Sequence, residues 1–127
     1  HLSPFTRHGT ALPRQAIQML KGLHTITGTR HHLFPGRDNR QMPMAVASMR
    51  QALKVIGWRG KYSPHGTRTT GSTRLNELGY RPDAIEAQLA HADQNNVRRA
   101  YNHATYFDER RLMMQDWADH WDVWRKG

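Results

Sequence analysis

Ser63-Pro64-His65-Gly66-Thr67-Arg68-Thr69-Thr70-Gly71-Ser72-Thr73-Arg74-Leu75-Asn76-Glu77-Leu78-Gly79 carries the punctuation of a helix at both ends. A serine hydroxyl can accept a bond from the free N–H groups of a first turn. Proline at the next position costs nothing, because the N–H it lacks would have had no helical partner. The stretch predicts a helix from Pro64 to about Leu78, stopped at Gly79. Pro82-Asp83 then restarts the chain as a shorter helix whose Ile85 and Leu89 face inward and which ends near His91.

Upstream, residues 1 to 10 read as an extended piece, and Pro13 opens a helix to about Thr25 with Ile17, Leu20 and Leu23 as its apolar stripe. Gly28 to Asn39, containing Leu33-Phe34-Pro35-Gly36, breaks that periodicity and reads as loop with at most one short strand. From Pro43 to Ile56, the positions Val46, Met49, Leu53 and Ile56 recur at three and four and predict a second amphipathic helix, stopped by Gly57. Trp58 to Ser63 is a connection. Downstream, Asp93-Gln94-Asn95-Asn96 is a loop or a new cap, leading to a short helical piece with Tyr101. Thr105 is expected to cap a last helix, with Asp108 and Glu109 favourable to the dipole in its first turn. Phe107, Met114, Trp117, Trp121 and Trp124 form one face of it. The expected fold class is mainly α with at most a short β element, as a single domain over residues 1–127.

The charge balance narrows the partners. Nineteen Lys+Arg against 10 Asp+Glu give a formal net charge of +9, and the sequence pI is near 10.8 with a mean hydropathy of -0.84. Arginine outnumbers lysine by 15 to 4. The guanidinium fork grips phosphate oxygens in pairs where an ammonium acts as a point charge, so a nucleic acid ranks above basic charge kept for solubility. With no cysteine there is neither a disulfide framework nor a thiolate metal site, which fits a reducing interior. No apolar run approaches the ~20 residues of a membrane helix. The absence of an initiator methionine and the abrupt opening at His1-Leu2-Ser3-Pro4 read as a piece of something longer.

His65 and Arg68 lie one turn apart near the positive end of their helix, an arrangement suited to phosphate. Taken singly, each candidate has an ordinary explanation. A His and an Arg one turn apart are usually a solvated face, His91 after Leu89-Ala90 reads as a structural histidine, and Tyr101 between Ala100 and Asn102 reads as a packing residue. Taken in order, His65, Arg68, His91 and Tyr101 suit metal-free breakage of DNA by a tyrosine nucleophile. His24, His31 and His32 are too poorly spaced and too far from carboxylates to argue a metal site. The six methionines and the tryptophan stripe read as packing.

The strings Ser63-Pro64-His65-Gly66-Thr67-Arg68-Thr69-Thr70, Glu86-Ala87-Gln88-Leu89-Ala90-His91-Ala92, Arg99-Ala100-Tyr101-Asn102-His103-Ala104 and Glu109-Arg110-Arg111-Leu112-Met113-Met114-Gln115-Asp116-Trp117-Ala118 together resemble the tyrosine recombinase family, specifically the integrases of phages and genomic islands. Leu2-Ser3-Pro4-Phe5 is similar to a strand within that family's catalytic domain. The resemblance implies the C-terminal portion of a helical catalytic domain of the DNA breaking-rejoining fold. It implies site-specific recombination of mobile DNA, no cofactor, double-stranded attachment sites as partner, a homotetramer on DNA, and a cytoplasmic, nucleoid-associated location. It gives Tyr101 the role of nucleophile in a 3′-phosphotyrosine link, Arg68 that of holding a non-bridging oxygen, His65 that of taking the phenol proton or bonding the phosphate, and His91 that of orienting the phosphate. The tryptophan-bearing last helix is implied to dock on a neighbouring protomer.

Charge alone makes Arg74, Arg98 and Arg99 candidate DNA-backbone contacts. The family pattern also has a first arginine and a lysine. Lys21, Lys54 and Lys61 do not match that lysine position, so the 127 residues are expected to bind DNA weakly and to cleave it little. The family commonly places its nucleophile nine residues after the histidine matching His91, against ten for Tyr101, which keeps Tyr106 as a second candidate. Two other readings stand beside the recombinase: a non-catalytic helical DNA-binding module of a regulator, and a basic RNA-binding domain that would prefer structured RNA to duplex DNA.

Overall fold

The computed structural model describes residues 9–89 and 106–127. Among them the chain is mainly helical, with α1 at Arg14–Thr27, α2 at Ala47–Val55, α3 at Pro64–Glu77, α4 at Pro82–Leu89 and α5 at Phe107–Lys126. The one β feature described is an isolated antiparallel bridge between Pro35 and Pro43. The chain divides into two compact units, His1–Gln15 with Gly71–Gly127 and Ala16–Thr70.

In the first unit the core is made by α3, α4 and α5. Leu75, Ala84, Ile85 and Met113 are buried together, with Tyr80, Leu89, Tyr106, Met114 and Trp117 packed around them. Glycine 79 ends α3 at φ 86. There the Tyr80 N–H donates to the Leu75 carbonyl at 3.1 Å and the Gly79 N–H to that of Asn76 at 3.0 Å. This paired closure satisfies the last carbonyls and turns Tyr80 back onto the core. One residue after Tyr80, the Arg81 carbonyl receives the Ala84 and Ile85 N–H groups at 3.1 and 3.2 Å, with Pro82 in the first helical position and Asp83 beside it in the first turn.

Polar side chains fix the chain before α1 to this core. The Gln88 amide donates to the Ala11 carbonyl at 2.9 Å and accepts the Ala11 N–H at 3.3 Å. Arg110, fully buried, gives its Nε to the Gln88 side-chain oxygen at 3.0 Å and an Nη2 hydrogen to the Gly9 carbonyl. The first turn of α1 is tied to α5 by the Arg14 N–H on Gln115 at 2.9 Å and by the Gln15 amide on Asp119 and Asp122, both at 2.9 Å. Amide hydrogen bonds from Gln15 and Gln115 hold the Asp119 carboxyl below its ordinary pKa.

The second unit holds the rest of α1, then α2 and the start of α3. The helix expected from Pro43 begins at Ala47 instead. The Gly36 N–H donates to the Met42 carbonyl and the Met44 N–H to that of Phe34, each at 2.7 Å. Residues 42–44 are thereby held in a ribbon-like pairing with 34–36 and are not available to a helix. Helix α2 closes as α3 does: Gly57 has φ 82, the Trp58 N–H donates to the Leu53 carbonyl at 2.8 Å and the Gly57 N–H to that of Lys54 at 3.1 Å. No residue from 16 to 70 is buried. Met19, Ile26, Val46 and Val55 are exposed at 72%, 77%, 94% and 77%.

The last helix starts at Phe107 with Tyr106 as its N-cap and no side-chain cap bond. Thr105, expected to cap it, lies outside the described residues. Of the face expected on α5, Met114 and Trp117 pack against the core beside the buried Met113, while Phe107, Trp121 and Trp124 are 40%, 49% and 46% exposed. Trp117, Trp121 and Trp124 instead meet edge to face, with ring centroids 5.7 to 5.9 Å apart.

Candidate active site

The site begins at the capped end of α3. Ser63 Oγ accepts the Gly66 N–H at 3.1 Å, which makes Ser63 the cap that its sequence predicts. Pro64 and His65 follow as the first two residues of the helix, so His65 stands where backbone N–H groups point out of the turn. Arg68 is three residues on, about 4.5 Å along the axis and on the same face. His65 is exposed and Arg68 half-buried.

The turn is braced from the preceding connection. The Tyr62 hydroxyl donates to Thr67 Oγ1 at 3.1 Å, and the Tyr62 ring meets Trp58 edge to face with centroids 6.4 Å apart. An imidazole and a guanidinium on such a turn, next to the positive end of a helix dipole, are groups whose chemistry suits an anion.

His91, Tyr101, Arg98 and Arg99 lie outside the described residues. Of their surroundings, α4 runs up to Leu89, with Ala87 and Gln88 buried, so the chain enters residue 90 from an anchored helix. On the other side α5 picks up at Phe107. Arg110 grips Gln88 and thereby ties α4 to α5. The string Glu109-Arg110-Arg111 gave no hint of this, because a buried cation and two surface ones look alike in sequence. The nearby Gln88, an amide at an apolar position of a short helix, was the available signal.

Two other tyrosines are described in this unit. Tyr106 is half-buried against the core with the Arg81 guanidinium 5.2 Å from its ring centre, a packing role. Tyr80 donates its phenol hydrogen to Asp116. Burial, that hydrogen bond and the Asp116 charge push its pKa up to about 12, which makes it a poor nucleophile. Arg74, named from charge as a DNA contact, is exposed in the last turn of α3 and bonded to Glu77 at 2.8 Å. His31 and His32 pack ring edge to face at 4.9 Å. Among the described residues no group of three or more His, Asp or Glu is placed to hold a metal ion, and no described helix is long and apolar enough to cross a membrane.

Known proteins match along most of this chain. The model of the phage integrase family matches residues 5–107, a span that contains all four ordered residues. Prophage integrase IntA of Escherichia coli strain K12 is 45% identical over 112 residues, 88% of this chain and 27% of the relative. The integrase of Shigella phage Sf6 is 42% identical over 113 residues, 88% of this chain and 29% of the relative. The integrase of Enterobacteria phage P4 is 43% identical over 120 residues, 91% of this chain and 27% of the relative. No solved structure shows a significant match. The chain spans 27% to 29% of the length of these relatives. With its capped His65 and Arg68 turn inside the matched span, and with relatives above 40% identity across nearly nine-tenths of its length, this chain belongs to the phage integrase family.

Proposed function

We propose that this chain is the C-terminal portion of an integrase catalytic domain, and that its full-length parent inserts and excises mobile DNA by breaking and rejoining strands through a 3′-phosphotyrosine. The observation that carries the reading is the pair His65 and Arg68 on the Ser63-capped first turns of α3, one face presenting an imidazole and a guanidinium to an anion.

In the proposed reaction the Tyr101 phenol oxygen forms a bond to the scissile phosphorus as the bond from phosphorus to the 5′ oxygen breaks. The phenol proton passes to His65, and the 5′ oxygen takes a proton from the lysine of the family pattern in the full-length parent and leaves as a hydroxyl. A phenol of ordinary pKa near 10 needs such a base at neutral pH. Arg68 holds a non-bridging oxygen as charge builds on the five-coordinate phosphorus, a role worth ~3 kcal/mol in comparable electrostatic sites. His91 orients the same phosphate. One ester is exchanged for another, so the link conserves the energy for religation. Arg74, Arg98 and Arg99 add contacts to the backbone of the attachment site, a homotetramer on DNA is the assembly, and the cytoplasmic nucleoid the setting.

A duplex nicked near the cleavage site, so that the released end diffuses away, should trap a covalent adduct with the full-length parent. Tyr101→Phe should lose the adduct and keep DNA binding. Equal adduct from the phenylalanine variant would contradict the assignment. The first arginine and the lysine of the family pattern have no counterpart among residues 1–127, so these residues alone are expected to cleave little, because groups that act as a unit lose activity together.

A further inference from the structure

The first half of α3, residues 64–70, reads Pro64-His65-Gly66-Thr67-Arg68-Thr69-Thr70. Glycine and threonine are both poor helix formers, the one for the backbone freedom and the other for the side-chain freedom it loses. Burial does not make up for this. None of residues 64–70 is buried, and Leu75, further along, is the buried residue of α3. A helix end that is weak by sequence and lacks apolar anchorage frays. Yet this is the turn that carries His65 and Arg68.

Contacts handed on from α2 hold it. The Trp58 N–H donates to the Leu53 carbonyl at 2.8 Å, and the Trp58 carbonyl accepts the Lys61 and Tyr62 N–H groups at 3.0 and 3.2 Å. With Gly60 at φ 75, residues 58–62 fold back tightly and bring the Tyr62 ring against the first turn of α3. A Cβ added at Gly66 would lie 3.5 and 3.8 Å from two carbons of that ring. The ring edge therefore runs along the helix backbone at ordinary contact distance, and Trp58 backs it edge to face. The Tyr62 hydroxyl reaches one step further and donates to Thr67 Oγ1 at 3.1 Å. Thr67 stands between His65 and Arg68 in the chain, beyond the Gly66 N–H that the Ser63 cap satisfies.

We propose that Tyr62 is a positioning residue for the reaction: its ring and hydroxyl keep the first turn of α3 wound, so that the imidazole of His65 and the guanidinium of Arg68 meet the phosphate with their spacing already set. This rests on the recombinase reading and adds to it a residue outside the ordered four. Tyr62 acts through Thr67 and the turn and touches no reacting atom. Its effect is on the fraction of molecules whose turn is formed when DNA arrives.

Two measurements test this. In the chain, amide exchange at residues 68–70 should quicken roughly fivefold in Tyr62→Phe and in Thr67→Val, and no further in the double variant. Thr67→Ser, which keeps an acceptor, should stay near the wild type, and the amides of α4 should not respond. In the full-length parent, the rate of adduct formation on the nicked duplex at saturating DNA should fall roughly threefold or more in Tyr62→Phe and in Thr67→Val, with a smaller change in affinity for the duplex. The double variant should be no slower than either, and Thr67→Ser should keep the rate. Tyr80→Phe, which loses a hydroxyl bond in the first unit, should lower the melting temperature and leave that rate unchanged. Unaltered exchange at 68–70, additive effects of the two changes, or a rate loss in Tyr62→Phe no greater than in Tyr80→Phe would overturn the proposal. If that happens while the wild-type parent still forms its Tyr101-dependent adduct, the recombinase reading stands. Absence of any adduct from the wild-type parent would end that reading, and this role for Tyr62 with it.

Discussion

A guanidinium withdrawn from water must find acceptors, and Arg110 finds the Gln88 oxygen and the Gly9 carbonyl. It also lies 5.6 Å from the Phe107 ring centre, and burial pushes its pKa below the ordinary arginine value. Arg110→Ala leaves the buried Gln88 oxygen with only the Ala11 N–H, frees the exposed Gly9 carbonyl to water and opens a cavity, so a loss of about 3 kcal/mol in denaturant unfolding is expected. Arg110→Lys should recover little, because an ammonium cannot reach both acceptors as a fork. Arg111→Ala, at an exposed position, should be near neutral. Tyr80 supplies a pH dependence of definite sign. Its phenol has a folded pKa of about 12 against 10.0 for the free group, so the stabilisation is fully present below 10 and is lost as pH rises from there through 12. Unfolding of the wild type should weaken across that window more steeply than unfolding of Tyr80→Phe, and parallel curves would contradict the Tyr80–Asp116 bond.

At the scale of elements, what could be read from sequence was local. Ser63-Pro64 at the start of α3, Gly57 and Gly79 at two helix ends and Pro82 at the start of α4 act through neighbours in the chain, and each stands in its expected place. The early start expected for α2 failed because the bonds from 42–44 to 34–36 join segments that no periodicity links. The face expected on α5 holds for Met114 and Trp117, which pack against the core, and fails beyond them for a related reason: Met113 is buried with Leu75 and Ile85, while Trp121 and Trp124 pack on neighbouring tryptophans and remain about half exposed. The same contrast holds for the site. His65 and Arg68 were legible as two residues of one helix, whereas the bond from Arg110 to Gln88, between helices far apart in the chain, was not. The positive φ of Gly79 gives a test at this scale. Gly79→Ala forces a Cβ into the left-handed region and should cost about 1–2 kcal/mol, while Gly71→Ala, inside α3 with nothing within 4 Å of an added Cβ, should be neutral or stabilising.

For the whole molecule, burial is distributed unevenly. The described core cluster belongs to the first unit, and no residue from 16 to 70 is buried. Helices held mostly by their own backbone bonds open more readily than helices locked by apolar contacts. Hydrogen exchange on the chain should therefore show slower amides in 71–89 and 106–127 than in 16–70, and uniform protection would contradict this division. In the proposed chemistry the nucleophile is the residue that defines the reaction. The most direct measurement is therefore to digest the trapped covalent adduct of DNA with the full-length parent and locate the linked residue by mass spectrometry. The expected result is a single nucleotide-bearing peptide modified at Tyr101. Linkage at Tyr106, at Tyr80 or at any residue other than Tyr101 would contradict the proposed chemistry.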